Sequence, residues 1–256
     1  MNSLVSAGAE MSPCLDTVGR LLTPKLRERT ALDATRLWAE LVAGRLTIAR
    51  HGVDPGEAWL ELRPQSSRAA RGFTDAQALL TERILCGLPQ KCVCLELGMS
   101  PSFVSGSCSH VLRKFGAPCS ARATPMALAM LAVVHDSGGA LSLPAYRLQR
   151  GIEPEYVEVR MGRPESALRK YLTKSEYETL NAFLAGHTHS GVGALRGRSP
   201  RTIANQLHSV TSKLQVYGRL PLIRAAVVMS NGNAPADSIP SESARLRTSA
   251  TADKLS

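Results

Sequence analysis

The sequence contains few aromatic residues and no long apolar run. Phe, Trp and Tyr make up 4% of its 256 residues, which argues against a large β-sandwich or a cofactor pocket lined with rings. No window approaches the roughly 18 apolar residues that a membrane-spanning helix needs. The first residues lack a basic region followed by an apolar segment, so they predict no secretion signal. We therefore expect a cytoplasmic protein with no membrane partner.

The sequence also lacks motifs of catalysis and metal binding. It has no glycine-rich phosphate loop, no GxSxG elbow, no HExxH helix and no plausible acid–base pair. Its six cysteines form no CxxC pair. Cys92 and Cys94 would point about 200° apart on a helix, so we interpret them as structural residues, and His187 and His189 as loop histidines. We expect no enzymatic activity, no cofactor and no metal.

Positive charge is abundant. The formal net charge is +10 and the sequence pI is about 9.7. Such a balance favours a polyanionic partner, with nucleic acid first and an acidic membrane surface second. An arginine-rich composition without any such partner is the alternative. The 44% of hydrophobic residues allows a packed core, and the abundance of Leu, Ala and Arg favours helices.

The chain contains an internal duplication. Residues 73–117 and 172–216 align without a gap at a shift of 99 residues, from Thr74 to Thr173 for example. Other landmarks that coincide at this shift are Gly87 and Gly186, Gly98 and Gly197, Ser100 and Ser199, Val111 and Val210, and Lys114 and Lys213. Each copy is therefore predicted to fold in the same way.

A strand signature precedes each copy. Residues 59–63 (WLELR) and 156–160 (YVEVR) alternate apolar and polar side chains, as half-buried strands do. Each follows a turn-like stretch, and residues 45–50 and 145–150 are plausible partner strands. We expect a short β-hairpin before each helical module, with a helix ahead of each hairpin at 34–43 and 125–136.

The second copy carries clear helix boundary signals. Thr173 and Glu176 form a predicted capping box, as Thr74 and Gln77 do in the first copy. A short helix is predicted around 189–196. Gly197 marks a turn, after which Ser199 caps a third helix that has Pro200 at its first position. A fourth helix is predicted at 220–229. The outline is a helix-turn-helix.

Residues 172–228 resemble the DNA-binding domain of LuxR-type bacterial transcriptional regulators. The family pattern is approximately LTxxExxVL, then G, then IAxxLxxS, then TVxxxLxxIxxKLxV. This chain supplies Leu172, Thr173, Glu176, Leu180, Gly186, Val192, Ser199, Thr202, Ile203, Leu207, Val210, Lys213, Leu214 and Val216. It departs from the pattern at Arg196 and Arg198, where the family has apolar residues, and in the first copy at Phe103 and Gly106.

The predicted fold class is mainly α, with two tandem helix-turn-helix four-helix modules that are each preceded by a short β-hairpin. The predicted divisions are a disordered tail (1–30), a helix with a hairpin (31–72), a degenerate LuxR-like module (73–136), a second hairpin and linker (137–171), a second LuxR-like module (172–230) and a disordered tail (231–256).

The resemblance implies that the helix at 199–214 enters the major groove of DNA. Its base-facing residues would be Ala204, Asn205 and His208, and its phosphate contacts would be Arg201, Thr202, Gln206 and Lys213. Weaker, secondary contacts in the first copy would come from Ser105, Ser107, Ser109, Arg113 and Lys114. Gly106 and His110 lie on or near the same face.

Local charge points to the second copy as the electrostatic anchor. Residues 172–229 carry seven basic and two acidic side chains, a balance of +5, whereas residues 73–118 carry four and three, a balance of +1. We therefore predict a sequence-specific transcriptional regulator that binds double-stranded DNA on the bacterial nucleoid, with a homodimer or an internal pseudo-dimer as its possible states. The alternative is an adaptor whose degenerate modules bind RNA polymerase or another regulator.

Overall fold

The computed structural model of the protein describes residues 30–65, 72–116, 124–151 and 156–233. Most of the predicted tails, 1–29 and 234–256, and the turn-like stretch 152–155 lie outside the described residues. The elements of the first half are α1 (Thr30–Val42), β1 (Leu46–Val53), β2 (Glu57–Pro64), α2 (Asp75–Leu85), α3 (Gln90–Leu97) and α4 (Pro101–Lys114). Those of the second half are α5 (Met126–Asp136), β3 (Arg147–Gly151), β4 (Tyr156–Gly162), the 3-10 helix η1 (Pro164–Tyr171), α6 (Lys174–Leu184), α7 (His189–Arg196), α8 (Pro200–Leu214) and α9 (Arg219–Ser230).

The expected fold class, mainly α with two tandem four-helix modules that are each preceded by a short β-hairpin of their own, is wrong. The four strands form a single antiparallel sheet in the order β1-β2-β4-β3, so the described residues are a mixture of helix and sheet. The physical reason is that an isolated two-stranded hairpin is only marginally stable in water. Pairing β2 with β4 satisfies the open edge of each hairpin and joins their apolar faces.

The two central strands pair about a local two-fold axis. Strand residues 59–63 and 156–160 correspond at a shift of 97 residues, and at this shift Glu61 lies opposite its own equivalent, Glu158. The flanking pairs exchange with one another under the same shift, Leu60–Val159 with Leu62–Val157. In an antiparallel ladder, this register relates the two hairpins by a two-fold rotation about an axis perpendicular to the sheet.

A helical layer covers one face of the sheet. The inward side chains of β2 and β4, including Leu60 and Val159, are buried. Helix α5 packs against β2 and also contacts α1, α2 and α9. It is buried along the whole stretch Met126–Val134, which fits a sequence that is apolar on every side. Helix α5 is thus shared between the two halves and does not simply close the first module.

Arg219 ties several helix ends together near the start of α9. It is 8% exposed, and its guanidinium donates to the backbone carbonyls of Leu184, at 2.7 Å, and Thr124, at 2.7 Å. Burial lowers its pKa to about 10, yet the group stays charged at neutral pH beside the carbonyl end of α6. On the other side, a Cβ at Gly87 would lie 2.5 Å from the backbone nitrogen of Pro221, so α2 ends directly against α9.

Asp136 forms a second junction between the halves. Its carboxylate pairs with Arg83 of α2 and, at 2.7 Å, with Arg224 of α9. The neighbouring His135 Nδ1 lies 2.7 Å from the Glu82 carboxylate of α2. These partly buried contacts fix the end of α5 against helices from both copies.

Replacing Arg219 with methionine should destabilise the whole fold. The substitution keeps an apolar stem but leaves the carbonyl oxygens of Leu184 and Thr124 without their charged donor, so we expect the free energy of unfolding to fall by about 2 to 4 kcal/mol. Chemical denaturation measures this change. Arg201→Met, which removes an exposed arginine, is the control and should cost less than about 0.5 kcal/mol. Equal losses for both variants would contradict this role for Arg219.

Candidate nucleic-acid interface

Helices α6, α7 and α8 are here called the second three-helix unit. Within this unit, α8 is held by its apolar stripe. Ile203, Leu207, Val210 and Leu214 are buried, and α8 packs against both α6 and α7. The predicted capping boxes at Thr173 and at Thr74 are both confirmed, as are the predicted bounds of α7. The local signals therefore place these helix ends correctly.

The outer face of α8 consists of Arg201, Ala204, Asn205, His208 and Ser212. All are exposed except Ala204, which is half-buried. The apolar stripe lies on the opposite side of the same helix, so the polar side chains point away from the core. This face offers a cation, an amide, an imidazole and a hydroxyl to a ligand, together with one methyl group.

A tight turn sets the angle between α7 and α8. Gly197 is left-handed at the end of α7, with φ of 60°, a conformation that glycine adopts without strain. The predicted cap is confirmed, since the Ser199 hydroxyl accepts the backbone N–H of Thr202, and Pro200 begins α8. A Cβ at Gly193 would lie 2.7 Å from the Arg198 carbonyl oxygen, so the small residue lets the turn fold back on α7.

Glu176 clamps α8 onto the start of α6. Its carboxylate accepts the backbone N–H of Thr173 at 2.8 Å and, from α8, the Ser209 hydroxyl at 2.6 Å and the Lys213 ammonium at 2.7 Å. Burial opposes ionisation of this carboxyl, but the hydrogen bonds from Lys213, Ser209 and Thr173 outweigh it and lower the pKa of Glu176 to about 2. The capping residue thus also fixes the orientation of α8.

Sequence reasoning missed this clamp, although a signal for it was present. Lys213 was predicted only as a phosphate contact. Its equivalent Lys114 makes the matching contact in the first copy, where its ammonium lies 2.9 Å from the Gln77 side-chain oxygen. In both copies, a lysine follows the last residue of the capping box at the same spacing, as Lys213 follows Glu176 and Lys114 follows Gln77. This recurrence indicates a contact within the protein. A role for Lys213 towards phosphate stays a prediction.

Arg196 lies within a polar cluster between α6, α7 and α8. Its guanidinium donates to the Ser175 carbonyl at 2.7 Å, to the Thr179 hydroxyl, and to the Glu178 carboxylate at 2.7 Å. The Gln206 side-chain oxygen accepts from Thr179 at 2.5 Å. An arginine is therefore accommodated where the LuxR pattern has an apolar residue, because its neighbours supply acceptors. Arg198, the other departure, is exposed.

Helices α2, α3 and α4 are here called the first three-helix unit. Apolar residues occupy positions that form the polar cluster in the second unit. Arg196, Glu178 and Thr179 correspond to Leu97, Leu79 and Leu80 at the 99-residue shift. Leu80 is buried and Leu97 packs against the same small core. The two copies thus close the same helix junction with two internally consistent sets of side chains.

The outer face of α4 is smaller than that of α8. Ser105, Gly106 and Arg113 are exposed, Ser107 is half-buried, and the side chain of Ser109 lies outside the described residues. Lys114 is engaged with Gln77 and with the Gly72 carbonyl. Large apolar side chains are exposed nearby in sequence: Phe103 is 56% exposed and Leu95 is 61% exposed.

Only part of the positive charge counted for residues 172–229 is exposed. Four of the seven cations are engaged within the protein, in the contacts described above: Arg196, Lys213, Arg219 and Arg224. Lys174, Arg198 and Arg201 are exposed. The exposed positive charge of this unit therefore centres on the starts of α6 and α8, and the positive end of the α8 helix dipole adds to it.

Comparisons of the chain with protein-family models, curated proteins and solved structures gave no significant match. In the described parts of the chain, no helix is long and apolar enough to cross a bilayer. The same residues include no group of three or more His, Cys, Asp or Glu side chains that could hold a metal ion. The likeness to LuxR-type regulators therefore stays a prediction from the residues quoted for it.

Glu176 should make stability depend on pH below neutrality. In the folded state its pKa is about 2, against an ordinary value of 4.5. Its contribution is therefore fully present above pH 4.5 and is lost as the pH falls towards 2. Glu176→Gln should lower the free energy of unfolding by about 1 to 3 kcal/mol at pH 7, and denaturation at a series of pH values should show this difference disappearing in acid.

The first three-helix unit provides the matched control for this prediction. Gln77→Glu places a carboxylate beside Lys114 and should add a pH dependence of the same sign. A Glu176→Gln variant whose stability differs from that of the original chain by the same amount at pH 7 and pH 2.5 would contradict the clamp.

The polar cluster should behave as a unit. Arg196→Leu alone leaves Thr179 and Gln206 without their shared donor and should cost about 1 to 3 kcal/mol in unfolding free energy. The triple variant Arg196→Leu, Thr179→Leu and Gln206→Ser gives these three positions the residues of the first three-helix unit. We expect it to cost less than the sum of the three single substitutions, because contacting sites are not additive. Strict additivity in denaturation measurements would refute the coupling.

Proposed function

We propose that the protein is a sequence-specific DNA-binding transcriptional regulator of the LuxR type, which reads double-stranded DNA with α8. The observation that carries the proposal is the outer face of α8: it is polar and solvent-exposed, while the opposite side of the helix is anchored in the core. A helix presented in this way fits the major groove, which is about 12 Å wide.

The side chains of this face divide into two roles. Asn205 offers an amide that pairs with adenine through two hydrogen bonds, and Ala204 offers a methyl group for contact with thymine. His208 lies one turn further along the same face. Arg201 and Thr202, at the start of α8, are placed for phosphate contacts, which supply affinity without sequence choice. Arg198, just before α8, and Lys174, at the start of α6, are exposed and add positive charge to the same unit.

Substitutions in α8 should separate base reading from phosphate contact. Asn205→Ala should reduce discrimination between the preferred site and its variants by about 1 to 3 kcal/mol, because a bidentate base contact is lost. Arg201→Ala should weaken binding to all sequences alike and reduce the slope of log K against log salt by about 1. Binding to selected duplexes at several salt concentrations measures both effects.

Lys170→Ala is the control for a general loss of charge. It removes one exposed cation from η1, outside the second three-helix unit, and should change neither the sequence preference nor the salt slope. Asn205 has no base-reading role if Asn205→Ala lowers affinity by the same factor on every sequence tested.

A second function, that of a protein-interaction adaptor, is favoured by one specific observation. Phe103 and Leu95 are large apolar side chains that are more than half exposed on the first three-helix unit, and a protein partner would bury them. RNA polymerase or another regulator would be the partner. Binding of purified RNA polymerase that is lost in Phe103→Ala and Leu95→Ala variants, together with no salt-sensitive DNA binding, would favour this function over the first.

A further inference from the structure

We propose that a single chain contacts two inverted half-sites on one DNA duplex. The second three-helix unit reads one half-site, and the first three-helix unit covers the other, whose sequence is less restricted. This inference rests on the DNA-binding function proposed above, and it adds the stoichiometry and the layout of the target.

The first support is the internal two-fold symmetry. The strand order β1-β2-β4-β3 reads the same from either edge under exchange of the copies, and its axis passes through the Glu61–Glu158 pair. The helices follow the same order, since α2 contacts α5, α5 contacts α9, and α9 contacts α6. Two three-helix units related by a two-fold axis match half-sites in inverted orientation, as the two subunits of a symmetric dimer do.

The second support is the rigid connection between the units. Helix α2 ends against Pro221 of α9, and Asp136 pairs with Arg83 and Arg224 from the two copies. Arg219 joins the end of α6 to the start of α5. Contacts of this kind leave α4 and α8 at one fixed separation. A fixed separation requires a fixed spacing between half-sites, about 10 base pairs or a multiple of it on one side of the duplex.

The third support is the difference between the two outer faces. At the 99-residue shift, Ala204 and Asn205 of α8 correspond to Ser105 and Gly106 of α4. Both first-copy residues are exposed, and Gly106 has no side chain with which to read a base. The first three-helix unit is therefore suited to backbone contacts with little sequence choice, which makes one half of the target degenerate.

A graft tests the layout directly. Ser105→Ala, Gly106→Asn and Ser109→His together give α4 the base-facing residues of α8, and a Cβ at Gly106 meets open space. Target sites are selected from a random duplex library with the unaltered full chain and with the graft variant. Hydroxyl-radical footprints and sedimentation of the complexes give the protected length and the number of chains per duplex.

We expect the unaltered chain to select one defined half-site and to protect two half-sites as one chain per duplex. The graft variant should select an inverted repeat of that half-site at a single spacing and bind it at least tenfold more tightly than the unaltered chain does. Ser105→Glu in the unaltered chain should remove protection of the degenerate half only, whereas Ser105→Ala should leave it in place.

Several outcomes would overturn the inference while leaving the proposed function intact. They are protection of a single half-site, two chains on each selected duplex, or a direct repeat selected by the graft variant. Failure of the unaltered chain to prefer any sequence, with no dependence of binding on salt, would instead remove the proposed function and this inference with it.

Discussion

The pairing of β2 with β4 is the constraint on which the rest of the structure depends. Each copy on its own would present a hairpin with an open inner edge and an apolar face. The antiparallel ladder between β2 and β4 closes both edges at once. It also creates an apolar surface that spans both copies. Helix α5 packs against this surface and in turn contacts α9. The described parts of a duplicated sequence thereby share one fold with one main core and do not form two independent modules.

Duplication within one chain also offers an internal comparison of packing solutions. The junction between the helices of the second three-helix unit is polar, with Arg196 donating to acceptors on α6. The same junction in the first unit is apolar, with Leu97 and Leu80 in its place. Both arrangements satisfy the rule that a buried polar group needs a partner. A mixture of the two sets would not, so these positions are expected to have changed together after the duplication.

Local structure was predictable from the sequence, whereas the joining of the two copies was not. Thr173 with Glu176, and Ser199 with Pro200, mark helix starts through contacts within one turn, and the structure agrees with both. The pairing of Leu60 with Val159 joins positions 99 residues apart, and no local pattern specifies it. Arg219 was counted as surface charge because its burial depends on the carbonyls of α5 and α6, which only the assembled fold brings together.

The same distinction decides how residues of α8 should be interpreted. Lys213 and Gln206 lie on the flank of α8 that faces α6, where Glu176, Ser175 and Thr179 are their partners. Arg201 and Asn205 lie on the outer face. Changing a flank residue alters how α8 is held. Such a change would lower the stability of the fold, and it would indirectly weaken the binding of any ligand to this face. Changing an outer residue affects only what the face contacts. Affinity and stability should therefore fall together for the flank and separately for the outer face, which distinguishes positioning residues from contact residues whatever ligand α8 binds.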